Sequence, residues 1–160
     1  MIPENSYLRN ILLPDHFDAG SGIVFRGAFK PRPADRGQGI SITSCSPDIL
    51  SESDIEEYLD HASRDLGGLR VGCCAITQDQ VEQIDSAAIE ADSRRTKNPP
   101  PDPAPILEVA PDPLGEGKFD RSHCLLRDSA REDLCPPNAV QRILALHATV
   151  NGILIPPREI

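Results

Sequence analysis

The 160-residue chain is expected to fold as a single α+β domain, a mixed β-sheet with about three helices packed on it. Three observations predict this. One helix-period stripe stands out, formed by Ile55, Leu59, Ala62 and Leu66. Short runs of strand character lie on either side of it, such as Ile40–Ser41–Ile42–Thr43 and Leu69 to Ile76. Neither half of the chain alone would bury much surface, so one core over residues 1–160 is expected.

The elements follow in order. Tyr7–Leu8 and Ile11–Leu12–Leu13 make a short apolar run that Pro14 ends, because proline cannot donate the next helical hydrogen bond. Ile23 to Phe29 is β-like, with branched and aromatic residues close together. Ile40 to Thr43 alternates as a half-buried strand does, and 23–30 with 39–43 predicts a long-looped hairpin. The clearest helix is 51–66, capped by Ser51 and stopped by Gly67–Gly68. Its early turns carry Glu52, Asp54, Glu56 and Glu57, which suit the positive end of the helix dipole. After the strand Leu69 to Ile76, Thr77 and Gln80 fit a capping box opening a second helix with Val81, Ile84, Ala88 and Ala91 inward. Residues 92–105, ending in a run of prolines, predict an extended, mobile loop. Ile106–Val109 and Ser122–Leu126 read as strands, and Pro136–Pro137 opens a last helix with Val140, Ile143, Leu144, His147 and Val150 on one side.

Composition narrows the function. No apolar run approaches the ~18 residues of a spanning helix, so no membrane role is expected. A net charge of −9, from 25 acidic and 16 basic residues, argues against direct nucleic-acid binding, which needs a basic face. The N-terminus lacks the basic start and apolar core of a signal peptide, and the five cysteines are odd in number with Cys73–Cys74 adjacent. Reduced thiols in a cytoplasm are therefore expected. Arginine outnumbers lysine 13 to 3 and proline reaches 16, which fits the codon usage of a GC-rich bacterial genome.

Chemistry-bearing motifs are sparse. Gly20–Ser21–Gly22 precedes a strand, whereas a dinucleotide-binding loop follows one and opens a helix. No Gly-x-Ser-x-Gly elbow occurs, and the spacing of His123–Cys124 to Cys135 does not match a zinc site, so neither a metal nor a cofactor is expected. Cys45, placed in a loop before a helix, is the most plausible reactive thiol. The segment that draws most interest is Phe25–Arg26–Gly27–Ala28–Phe29 taken together with Ser41, Ser44 and His123. A planar guanidinium such as that of Arg26 pairs with carboxylate or phosphate, and a histidine is the natural proton carrier near neutral pH.

Arg26–Gly27–Ala28–Phe29, Ile40–Ser41–Ile42, Leu69 to Ile76, Asp112–Pro113–Leu114 and Ser122–His123–Cys124 occur in that order around helix 51–66. The chain in this respect resembles a group of small uncharacterised bacterial proteins. These share an R-x-x-F strand, a Leu-Ser strand, a helix, an apolar strand, a D-P-x-P segment and a P-x-H-A strand before the final helix. The resemblance covers most of 23–150; it departs where Ser122 and Cys124 flank His123 and where the linker is longer. It implies the order of elements and no reaction, and it draws attention to Arg26, Phe29 and His123.

Three functions are open. The first is a small acidic protein-binding module, an immunity or accessory protein that uses Glu52, Asp54, Glu56, Glu57 and Asp60 with Arg26 and Phe29 against a basic partner such as a nuclease toxin. The second is an enzyme on a phosphorylated or nucleotide-like small molecule, with Arg26 holding the anion and His123 as acid or base. The third is a subunit of a larger phage- or mobile-element-derived assembly, with 92–105 as a docking strap.

Overall fold

The computed structural model describes residues 5–12, 15–31, 38–45, 54, 57, 69–70, 72–116, 121–155 and 158–159. They form an α+β fold with one six-stranded sheet. Its strands are β1 (Ser6–Ile11), β4 (Ile40–Cys45), β6 (Gly72–Thr77), β7 (Leu107–Pro111), β8 (His123–Asp128) and β9 (Ile153–Ile155). Their spatial order is β7-β8-β4-β1-β6-β9. Every pairing in it is antiparallel, not mixed as the sequence predicts. The helical connections from β6 to β7 and from β8 to β9 join strands that point the same way, but other strands lie between them, so no neighbouring pair among the described residues is parallel.

Two small pairs complete the strands. β2 (Phe17–Asp18) pairs with β3 (Ile23–Val24), and β5 (Leu69–Arg70) pairs with β10 (Arg158–Glu159). Among the described residues, the helices with defined bounds are α1 (Gln78–Glu82), α2 (Ser86–Thr96) and α3 (Asn138–Asn151).

The expected strand 23–29 stops after Val24. Arg26–Phe29 instead forms a 3-10 turn, with Ala28 and Phe29 fully buried against α3. Gly27 permits this, because a Cβ there would stand 3.3 Å from the carbonyl oxygen of Asp15. The predicted hairpin of 23–30 with 39–43 is therefore absent, and β4 pairs with β1 and β8. The expected helix 51–66 falls largely outside the described residues.

The capping box of Thr77 and Gln80 is present, with each side chain bonding the other's backbone N–H. The helix it opens runs only to Glu82. Asp85 then accepts from the N–H of Ala88 and starts α2 as a separate helix. Residues 92–96, expected as loop, are the last turns of α2, which Lys97 ends in the left-handed conformation at φ 59°. Beyond it the proline segment is anchored: Arg131 Nη2 donates to the Pro103 carbonyl, and the N–H of Ser129 to that of Ile106.

One face of the sheet, carrying Ile11, Ile40, Ile42, Cys74, Ile76, Cys124 and Leu126, packs on Val140, Ile143, Leu144 and Ala148 of α3. The 3–4 spacing on α3 supplies its buried stripe. Because strand side chains alternate, Leu8, Cys45, Cys73 and Leu125 point to the opposite face, and they are buried as well. Two buried faces explain why the central strands read as continuous apolar runs.

Gly39 fits β4 to β8 at φ +128°, where a Cβ would lie 2.6 Å from the Leu126 carbonyl oxygen. Gly39→Ala is expected to cost about 1–3 kcal/mol, from the strained φ and the clash together. Chemical denaturation checks this through a lowered midpoint.

Candidate functional site

His123 opens β8, directly opposite Thr43 in β4. Its neighbour Cys124 faces α3, so His123 faces the other way, onto the sheet face that also carries Ser41. The imidazole is held at both nitrogens. Nδ1 lies 2.9 Å from the main-chain oxygen of Asp112 and 3.2 Å from its carboxylate Oδ2. Both oxygens only accept, so Nδ1 carries the proton. Nε2 then presents its lone pair 3.0 Å from the Ser41 hydroxyl. In neutral imidazole the hydroxyl donates and Nε2 accepts.

Three parts of the sheet build this row. Ser41 lies near the start of β4, His123 at the start of β8, and Asp112 directly after β7, whose Pro111 pairs with Cys124. The N–H of Asp112 donates to the His123 carbonyl at 3.0 Å, which fixes the Asp112 backbone against the histidine. Ser41 is partly buried and the His123 side chain is 12% exposed, while the Asp112 side chain remains 43% exposed. The Ser41 carbonyl is held as well, accepting from Arg9 Nη1 at 2.7 Å. Ser44 has the opposite strand parity and lies on the other face.

Arg26 is elsewhere. Its Nη1 donates to Asn138 Oδ1 at 3.1 Å and Gln141 Oε1 at 3.0 Å, docking the 3-10 turn on the first turn of α3. Arg26 and His123 therefore lie on opposite sides of the sheet. Phe29 is a core residue with no exposed surface. Of the acidic residues expected at a binding surface, Asp54 is half-buried and Glu57 exposed, and Glu52, Glu56 and Asp60 lie outside the described residues.

Among the described residues a further group of exposed acids lies on α1 and α2. Asp79, Glu82, Asp85 and Glu90 are all exposed along these two short, consecutive helices. Several arginines are engaged by other groups of the fold, Arg95 while half in solvent. Arg9 is buried against carbonyls, Arg142 and Arg95 hold the buried carboxylate of Asp92, and Arg131 contacts Asp128.

Cys45 ends β4, opposite Ser6, instead of lying in a loop. It is 2% exposed, and burial pushes its thiol up. Burial likewise raises the Cys124 thiol and, more strongly, that of Cys73. The predicted reactive role of Cys45 does not fit this setting, since only the thiolate reacts. A thiol-reactive chromophore should modify Cys135 first, with Cys45, Cys73, Cys74 and Cys124 reacting only on unfolding. Among the described residues no group of three or more His, Cys, Asp and Glu side chains is placed to hold a metal ion.

The sequence singled out Ser41 and His123 but gave them no common geometry, because strand register cannot be read from spacing. Asp112 stands out in the sequence only through its Asp-Pro motif. Among the described residues no helix is long and apolar enough to cross a membrane. No protein-family model matches the chain, and no curated protein or solved structure matches it either.

Proposed function

We propose that the chain is a small acidic protein-binding module, an immunity or accessory protein whose partner presents a basic surface. One observation carries this reading. In a chain with a net charge of −9, Asp79, Glu82, Asp85 and Glu90 face solvent along α1 and α2 while Arg9 and Arg142 are engaged inside the fold. A surface of one sign steers an oppositely charged partner and speeds encounter in a salt-sensitive way. The pairing of Arg26 with His123 on a phosphorylated ligand has no such support, since the sheet lies between them.

Affinity capture of the tagged chain from lysate of its own host tests the proposal. The expected result is one stoichiometric basic partner, retained at low salt and released at high salt. A partner indifferent to salt, or none, would reject the electrostatic reading.

A further inference from the structure

Ser41, His123 and Asp112 form a continuous row of hydroxyl, imidazole and carboxylate, with contacts of 3.0 Å and 3.2 Å. We propose that this row makes Ser41 a nucleophile for acyl transfer from a small carboxylic ester, with His123 as general base and Asp112 orienting the imidazole. This goes beyond partner binding and stands independently of it.

The tautomer is the first support. With its proton on Nδ1, the imidazole offers Nε2 as a base directly to the Ser41 hydroxyl. A nucleophile within hydrogen-bond reach of a base, itself oriented by a third group, is the arrangement serine catalysis needs. The second support is rigidity. Ser41 sits within a central strand whose carbonyl Arg9 holds from the opposite face, so the hydroxyl has a fixed seat. The third is access, because Ser41 is only partly buried and the His123 imidazole, though largely buried, keeps 12% of its surface exposed. Nor is the row needed to pair the strands. Backbone ladders already join β4 to β8 and β7 to β8.

The reaction balances as follows. Ser41 Oγ forms a bond to the ester carbonyl carbon as its proton passes to His123 Nε2. The tetrahedral adduct expels the alcohol, which takes the proton from Nε2, and an acyl ester remains on Ser41. Water then attacks the same carbon, giving its proton to Nε2. The Ser41 oxygen leaves and recovers that proton. Ester and water become acid and alcohol, with no change in oxidation state.

The test is covalent labelling of the native full chain with diisopropyl fluorophosphate, followed by intact mass measurement and peptide mapping. One diisopropylphosphoryl adduct on Ser41, formed with loss of fluoride, is expected, abolished in Ser41→Ala and unaffected in Ser44→Ala. His123→Gln should slow labelling at least ~100-fold, within the range one positioned base contributes. Asp112→Asn should slow it less, while thermal unfolding confirms that each variant is folded. A wild-type chain that takes up no label overturns the proposal without reference to any variant. So does an adduct that persists in Ser41→Ala, or one formed equally fast in His123→Gln.

Discussion

Replacing Arg142 with methionine is expected to remove about 3 kcal/mol of stability, the lower end for breaking a buried ion pair by deleting one partner. Asp92 is the reason. Its side chain is 2% exposed and accepts from Arg142 Nε at 3.1 and 3.2 Å and from Nη2 at 2.8 Å. Arg95, one turn further along α2, holds the same carboxylate at 2.8 Å. The two arginines tie α2 to α3 through one charge. Without Arg142 the carboxylate stays buried with Arg95 as its remaining arginine. Arg95 is itself half in solvent, which keeps the loss at the low end of the range. For a chain of this size the thermal midpoint should fall by about 6–12 °C. Replacing Asp92 and Arg142 together, with leucine and methionine, should recover most of that, because no charge is then stranded. A double-mutant cycle by calorimetry measures both effects. Equal losses in the single and double variants would mean that packing, and not charge, dominates the contact.

Arg9→Met is the second large effect. Arg9 lies in the central strand β1 with 2% exposure and reaches three carbonyls: Ala28 from Nε at 2.8 Å, Ser41 from Nη1 at 2.7 Å and Lys30 from Nη2 at 3.0 Å. The fork thereby fastens the 3-10 turn to the sheet. Methionine matches much of the stem and leaves those acceptors without this donor, at roughly 1–3 kcal/mol for each that finds no other. A total loss of at least about 3 kcal/mol is expected. Arg9→Lys should recover less than half, because one ammonium cannot reproduce a planar fork with donors in three directions. Hydrogen exchange adds a local readout. Protection should fall in 26–30 before it falls in β6. Unchanged protection there would show that the core contacts of Ala28 and Phe29 hold the turn unaided.

The fate of particular elements shows what the sequence could convey. The capping box of Thr77 and Gln80 was legible because both partners lie within four residues. The last helix was legible because one apolar stripe repeats over 14 residues. β1 does not read as a strand in the sequence. Its burial on both faces removes the alternation that marks a half-buried strand, and Arg9 interrupts the apolar run. The turn at Arg26–Phe29 reads as strand because it continues the branched run Ile23–Val24 between two phenylalanines, but Phe29 serves a core contact, not a sheet ladder. Tertiary packing overrode local propensity there. β9 is not legible as a sheet strand in the sequence because its place depends on Gly152, which ends α3 at φ 80° and lets the chain return to the sheet edge beside β6. His123 and Ser41 were each visible, but their contact depends on the register that sets Ser41 opposite Leu125 and Thr43 opposite His123. Asp112 joins them only because β7 pairs with β8.

The outward-facing negative charge is the central functional claim, and the rate of partner association tests it most directly. The captured partner would be mixed with the wild-type chain and with a triple variant, Asp79→Asn, Glu82→Gln and Glu90→Gln, across rising ionic strength. The account predicts a wild-type association rate that falls at least ~10-fold from low to high salt, with dissociation little changed. It also predicts a slower rate with a shallower salt dependence for the variant. Equal association rates for the two chains at every salt concentration would contradict it.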